Sequence, residues 1–230
     1  MTKHIGIVGV SYEGAALCYR TICQEGKDWF GMYEHPEVTM HTFNLNDYKK
    51  PSDAERWDIG SEVILASARK LAAAGAEFLI CPDNTIHVSI DPIIEQSPLP
   101  WLHIAEEVAI EAEQQGYKKI GLLGTQPLME GPVYPRKLEP RGVRWQTPDL
   151  NTRRRIHQYI VEELIYGLLL PDTRRYFQVL IENFANSGCD AVILGCTEIP
   201  LLINPEVSVL PTLDSTRLLA RAALRESIRD

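Results

Sequence analysis

The sequence predicts an α/β fold built as two pseudo-symmetric lobes, each a mostly parallel sheet flanked by helices. Three internal echoes predict it. GAEFLICPDNT (residues 75–85) returns as GCDAVILGCTE (188–198), with Gly75 matching Gly188, Glu77 matching Asp190 and Ile80 matching Ile193. IGIVGV (5–10) returns as IGLLGT (120–125), and PWLH (100–103) returns as PTLD (211–214). The offsets are 113, 115 and 111 residues, so one register with small gaps carries all three in order. Each copy of the first echo is a glycine and an acid, then a short apolar run, then polar side chains. That is the pattern of a buried parallel strand with a polar tip. At the tips Asp83 stands opposite Cys196, and Asn84 opposite Thr197.

Taken in order, residues 4–10 read as the first strand, and Ser11-Tyr12-Glu13-Gly14 as the turn into a helix reaching about residue 27. A strand is expected over 37–43 and a polar loop over 44–53, beyond a carboxyl end where open α/β sheets place ligands. A long helix over about 54–74 ends at Gly75. The first central strand follows, then a helix over about 86–96. Ser97-Pro98-Leu99-Pro100 reads as the crossover, giving lobes of residues 1–98 plus 212–230 and of 99–211. In the second lobe, helices are expected over 103–115, 128–139 (broken by Pro132 and Pro135), 152–166 and 171–187. Strands are expected over 119–124, 142–146, the second central copy and 208–210, with a closing helix from about 215. Strand and helix alternate throughout, which requires parallel sheets covered on both faces.

Composition narrows the function. The net charge is −8 with no basic stripe to offset it, which excludes a nucleic-acid partner. No apolar run approaches the ~20 residues of a membrane span, and the N-terminus enters a strand without a signal peptide's layout. Five cysteines in apolar contexts point to reduced thiols and a cytoplasmic protein. There is no CxxC or HxxxH spacing, so no metal is expected. Gly6, Gly9 and Gly14 are not in GxGxxG register, and no acidic ribose ligand follows the second strand, so a dinucleotide site is not expected either.

The polar tips admit two readings. Asp83-Asn84-Thr85 before an apolar helix serves as an N-cap, and Cys196-Thr197 as a buried small residue with a cap. Alternatively, two related tips, each a proton acceptor followed by amide or hydroxyl donors, enclose one small ligand in a cleft between the lobes. Helix N-termini with Asn84, Thr85, Thr125 and Thr197 suit a carboxylate. Arg153-Arg154-Arg155 opens a helix against the dipole, as a solvated patch or with one arginine on an anion. His87, His103 and His157 read as structural, or as supports behind the site, rather than catalytic, and Cys18, Cys23, Cys81 and Cys189 as core thiols.

At these residues the chain resembles the aspartate/glutamate racemase family, the cofactor-independent amino-acid racemases, over essentially its whole length. Residues 5–9 and 11–13 resemble the family's opening loop, Leu122–Thr125 its LLGT strand, and 194–198 its LGCTE signature. PDNTIH (82–87) resembles PCNTxH, with Asp83 in place of a cysteine. The resemblance implies two α/β lobes with the active site in the cleft between them. It also implies Cys196 as the thiol working on the L-face of Cα, with Asp83 in the place of the thiol for the D-face. Ser11, Asn84, Thr85, Thr125 and Thr197 fall on substrate-binding positions. Arg155 falls where a lysine holds the second carboxylate, and Glu198 beside the second thiol. Tyr48 falls about where some aspartate-specific members carry a carboxylate-binding arginine.

The function so implied is racemisation of glutamate or aspartate without pyridoxal phosphate. It uses an asymmetric Asp83/Cys196 pair with L as the preferred substrate, in a cytoplasmic homodimer with no cofactor, metal or membrane contact. Two alternatives stand beside it. One is other superfamily chemistry on a dicarboxylate: arylmalonate-type decarboxylation, which needs a single proton donor, or isomerisation. The other is a small-carboxylate-binding protein without turnover.

Overall fold

In the computed structural model, residues 2–229 are described. Strand β1 (Ile5–Gly9) is buried at every position, as a strand covered on both faces must be. Ser11 Oγ accepts from Gly14 N–H at 3.2 Å and starts α1 (Tyr12–Phe30). β2 (Val38–Thr42), α2 (Leu45–Asp53), α3 (Trp57–Ala73), β3 (Phe78–Ile80), α4 (His87–Ile90) and β4 (Trp101–Leu102) follow. These strands make a parallel sheet in the order β2-β1-β3-β4. Next come α5 (Ile104–Gln114), β5 (Lys119–Gly124), α6 (Gln126–Glu130), α7 (Pro135–Leu138), β6 (Arg144–Gln146), α8 (Leu150–Glu162) and α9 (Pro171–Asn186). β7 (Ala191–Gly195), α10 (Ile199–Leu202), β8 (Thr212–Asp214) and α11 (Ser215–Ser227) complete the chain. The second sheet is also parallel, in the order β6-β5-β7-β8.

The two sheets thus share one strand order, and their registers coincide with the echoes. Ile5 pairs with Phe78 and Ile7 with Ile80, while their counterparts pair as Ile120 with Ala191 and Leu122 with Ile193. The glycine and the acid of each echo have distinct jobs. Gly75 (φ 95°) and Gly188 (φ 78°) end α3 and α9 in the left-handed region that a Cβ disfavours. The acid then ties its own strand to the neighbouring central strand. Glu77 Oε2 accepts from His4 N–H at 2.7 Å, and Asp190 Oδ2 from Lys118 and Lys119 N–H at 2.6 and 2.9 Å. In return Glu77 N–H donates to His4 O at 2.9 Å and Asp190 N–H to Lys119 O at 2.7 Å. The two backbone donors hold the Asp190 carboxyl below its ordinary range.

The chain divides into two units, the residues to Ile104 with those from Thr216, and Ala105–Ser215. In the first unit, alternation along the strands sends side chains to opposite faces of the sheet. Ile5, Ile7, Phe78 and Ile80 pack with Cys18 and Ile22 of α1 and Leu219, Ala220, Ala223 and Leu224 of α11. Val8, Leu79 and Cys81 pack on the other face with Tyr48 of α2, Ile64, Ala68 and Leu71 of α3, and Ile86. In the second unit Ile120, Leu122, Ile193 and Leu194 of the sheet are buried, with Ile156 and Ile160 of α8 and Phe177, Ile181 and Phe184 of α9.

Several expected elements are corrected. Residues 44–53 are not a loop but contain α2. Asn44 Oδ1 accepts from Asn46 N–H at 2.9 Å, and Leu45, Tyr48 and Pro51, three residues apart, form an inward stripe diluted by polar neighbours. α3 begins at Trp57 rather than 54 because Glu55 has a positive φ of 53°. The helix expected to 96 breaks after α4 into a 3-10 turn, Asp91–Gln96, in which Pro92 has no N–H to donate. Residues 208–210 are not a strand. Ser208 Oγ bonds Leu210 O at 2.7 Å and Leu210 N–H at 3.4 Å, and Val192 N–H reaches Pro211 O at 2.9 Å, so pairing starts only with β8. Ser97 repeats this turn with Leu99 at 2.8 and 3.4 Å, and Leu79 N–H reaches Pro100 O at 2.8 Å. Residues 97–100 therefore lead into β4, and the first unit continues to Ile104. α6 begins at Gln126 instead of 128, capped by Thr125, and α8 at Leu150 instead of 152, capped by Asp149.

The conserved geometry of the two glycine turns sets a stability expectation. Gly188→Ala places a Cβ at φ 78° with no neighbouring atom within 4 Å, so the penalty is backbone strain alone. It should lower the free energy of unfolding by about 1–2 kcal/mol, read from the urea midpoint. An unchanged midpoint would show that the turn relaxes to negative φ.

Candidate active site

Each sheet presents one polar tip past its third strand. Past β3, Cys81 and Pro82 are buried, Asp83 is half-buried, and Asn84 is 2% exposed. Asp83 Oδ1 accepts from Ile86 N–H at 3.0 Å, which fixes the plane of the carboxylate. Its main-chain oxygen accepts from the ring of His87 at 2.8 Å. His87 is fully buried, its Nε2 takes Ile104 N–H at 3.4 Å, and its ring meets that of His103 edge-on at 4.4 Å. His103 Nε2 in turn lies 3.1 Å from Asp91 Oδ1. Burial, and secondarily the charge of His103, push His87 well below the usual imidazole range. Cys81 is a core thiol: burial first, then the Asp83 carboxylate, raise it well above the ordinary thiol range.

Past β7 the chemistry changes. Cys196 is 8% exposed, and its thiol donates to Glu198 Oε2 at 2.9 Å. Thr197 Oγ1 donates to the same oxygen at 2.8 Å. Glu198 is 1% exposed, and its Oε1 is buried with no hydrogen-bond partner among the described residues. A buried carboxyl oxygen left so is costly. Glu198 therefore acts first as acceptor for the thiol, through a contact that its spacing in the sequence did not specify.

The remaining residues singled out from the sequence are placed as follows. Ser11 Oγ caps α1, and Thr125 Oγ1 accepts from Leu128 N–H at 3.3 Å to cap α6. Thr85 is half-buried and Thr197 buried. Arg155 is exposed, with Nε and Nη2 donating to Tyr159 Oη at 3.2 and 3.0 Å. Arg153 is instead held by Glu130, Thr147 and the Pro148 carbonyl. Tyr48 does not stand at a ligand position but is 1% exposed in the core under α2, its hydroxyl receiving Phe43 N–H at 3.5 Å. Beside it runs a polar chain that the sequence reading did not single out. Lys70 Nζ meets His41 Nε2 at 3.1 Å, and His41 Nδ1 meets the buried Ser67 Oγ at 2.8 Å. Its only trace in the sequence is Ser67 and Lys70 at helical spacing, too common a pattern to stand out. A groove of about 730 Å3 on the α2–α3 surface, lined by Phe43, Lys50, Pro51, Ile59 and Val63 among others, contains none of the tip residues. Among the described residues no three His, Cys, Asp or Glu side chains are grouped to hold a metal, and no helix is long and apolar enough to cross a membrane.

Repeated parallel α/β units with an acid–base side chain at the equivalent strand tip of each define an α/β enzyme architecture of duplicated type. The family model described as Asp/Glu/Hydantoin racemase matches residues 7–223, and the chain belongs to that family. The broad specificity amino-acid racemase RacX of Bacillus subtilis is 29% identical over 168 residues, 71% of this chain and 70% of that protein. A glutamate racemase of Limosilactobacillus reuteri is 29% identical over 61% of this chain, which spans about half (52%) of that enzyme's length. Among solved structures, a proposed Asp/Glu racemase from Yersinia pestis is 32% identical, covering 99% of this chain and 100% of its own, with a TM-score of 0.89. An aspartate racemase homologue from Pyrococcus horikoshii is 28% identical with full coverage of both chains and a TM-score of 0.85. Amino-acid racemases are isomerases, and the fold seen here is theirs.

Tyr48 supplies a pH test of the first unit. Burial pushes its hydroxyl up to about 12, so the folded state resists its ionisation. A folded value above the unfolded ~10 means a contribution fully present below pH ~10 and lost as pH rises toward 12. Between pH 9 and 12 the urea midpoint of Tyr48→Phe should therefore fall less steeply than that of the parent. Parallel slopes would show that Tyr48 ionises freely in the folded protein.

Proposed function

We propose that this protein is a racemase of an acidic amino acid that works without pyridoxal phosphate, through Asp83 and Cys196 on opposite faces of Cα. The observation that carries the reading is the buried Cys196–Glu198 contact of 2.9 Å, at the strand tip equivalent to the one that bears Asp83. An α-hydrogen is a very weak acid, so the reaction needs a base on one face, a proton donor on the other and donors around the substrate carboxylate. In the L-to-D direction the Cys196 thiolate takes the α-proton and protonated Asp83 delivers one to the opposite face. In the reverse direction the Asp83 carboxylate is the base and the Cys196 thiol the donor. Glu198 accepts the thiol proton when Cys196 must become the base. Ser11, Asn84, Thr85, Thr125 and Thr197 hold the α-carboxylate and the amino group, Thr197 through its acceptor lone pairs because its hydroxyl hydrogen goes to Glu198, and Arg155 meets the distal carboxylate. The same reading expects a cytoplasmic homodimer acting on glutamate or aspartate.

Asp83 makes the pair unequal. A carboxyl of reference pKa ~3.9 is a weaker base and a scarcer proton source at neutral pH than a thiol of ~8.5. Because the two enantiomers are equal in energy, the equilibrium constant is one and kcat/KM must match in both directions. The inequality therefore appears in kcat and KM separately and in exchange without inversion, with L the better substrate for proton removal.

The deciding experiment is incubation of each enantiomer in D2O with chiral and mass analysis. Asp83→Ala should lose inversion by on the order of 10²–10⁴-fold yet still deuterate the L-enantiomer, and Cys196→Ala should abolish that exchange. If Asp83→Ala inverts as fast as the parent, Asp83 is a helix cap only and the two-base reading fails. Arg155→Met should weaken a dicarboxylic substrate far more than a monocarboxylic analogue. An equal loss for both would remove Arg155 from the site.

A further inference from the structure

We propose that His87 is the positioning residue for Asp83, a neutral imidazole that bridges the strand tip to the segment where the chain leaves the first unit. The proposal deepens the racemase reading and rests on it. His87 is fully buried, so each ring nitrogen must find its partner within the protein. Nδ1 lies 2.8 Å from the main-chain oxygen of Asp83, which can only accept. Nε2 faces the N–H of Ile104 at 3.4 Å, which can only donate. One protonation state satisfies both neighbours: hydrogen on Nδ1 and a bare Nε2. The other neutral tautomer, or the cation, would turn an N–H against the Ile104 N–H and lose that bond.

The consequence for Asp83 is geometric. Its side chain is held through Oδ1 by Ile86 N–H at 3.0 Å, and its main chain through the carbonyl by His87. Both anchors sit in the first turn after the tip: the Ile86 bond must break for the carboxylate to swing, and the His87 bond holds the backbone from which it projects. The far side of the ring is closed by Ile104, itself buried in the β1–α1–α11 core, and by His103 at 4.4 Å with Asp91 behind it. His87 thus transmits the rigidity of that core to the carbonyl of the acid–base residue. It touches no reacting atom.

Two side chains separate its two bonds. The amide nitrogen of Asn overlays Nδ1, so His87→Asn keeps the bond to Asp83 O. Gln reaches the place of Nε2, so His87→Gln keeps an acceptor for Ile104 N–H and loses the Asp83 bond. Inversion, which needs Asp83, should fall on the order of tenfold to a hundredfold in His87→Gln, and deuterium exchange into the L-enantiomer, which needs only Cys196, should hold. His87→Asn should invert at close to the parent rate. Exchange and inversion falling together in both variants, in step with the melting temperature, would reduce His87 to a packing residue. So would equal inversion by the two variants. The ring itself is read in the unmodified protein by ¹⁵N NMR of labelled histidine, where a neutral Nδ1–H signature from pH 6 to 8 is expected and an Nε2–H signature overturns the proposal. A parent protein that exchanges no α-hydrogen of any amino acid sinks the racemase reading and this inference with it. Loss confined to the variant comparison sinks the inference alone.

Discussion

The structure depends on a short polar clamp, the acid that follows each helix-ending glycine. Glu77 and Asp190 take the backbone N–H that opens the neighbouring central strand, and their own N–H groups return to the carbonyl of the same residue. Two bonds at one end of a parallel pair fix its register, and a one-residue slip in a buried strand would turn every side chain to the wrong face. With the amino ends locked, the apolar runs Phe78–Ile80 and Ala191–Gly195 determine where the carboxyl ends fall. The glycines allow the sharp turn, the acids set the register, and the tips inherit their positions from both. A serine two residues before a leucine, at Ser97 and Ser208, sets the outer strands by the same local logic.

From that common frame the two tips diverge in chemistry. One carries a carboxylate whose orientation is held by a backbone N–H and whose carbonyl is held by an imidazole. The other carries a thiol and a hydroxyl that converge on one oxygen of a buried glutamate. A duplicated scaffold with unlike tips suits a reaction at a stereocentre, whose two faces are mirror images while the groups serving them need not be. Buried beside these tips are Glu198, which receives the Cys196 thiol, and His87, which holds the Asp83 carbonyl, one in each unit.

How much of this was legible depended on whether the signal was local. Buried strands, helix-ending glycines and the equivalence of Asp83 with Cys196 are written in short runs and in offsets, and the paired registers bear the echoes out. Helix α2 was hidden because only three inward residues, Leu45, Tyr48 and Pro51, interrupt a polar composition, and polar residues beyond a strand's carboxyl end read as a loop. The expected strand at 208–210 failed because an apolar Val209-Leu210 pair resembles strand sequence while Ser208 bonds the backbone around it. Composition cannot rank a side-chain-to-backbone bond against a ladder bond.

By itself the sequence determined the doubled parallel α/β plan, the position of each polar tip and the family to which the chain belongs, because these follow from periodicity and repeated motifs. Tertiary structure alone decided that Tyr48 turns into the core, that Glu198 receives the Cys196 thiol, and that His87 spans Asp83 and Ile104. The physical reason is one of range. Strand and turn preferences act over a few neighbouring residues, whereas the partner of a buried polar atom is whichever group the finished packing brings within about 3 Å of it.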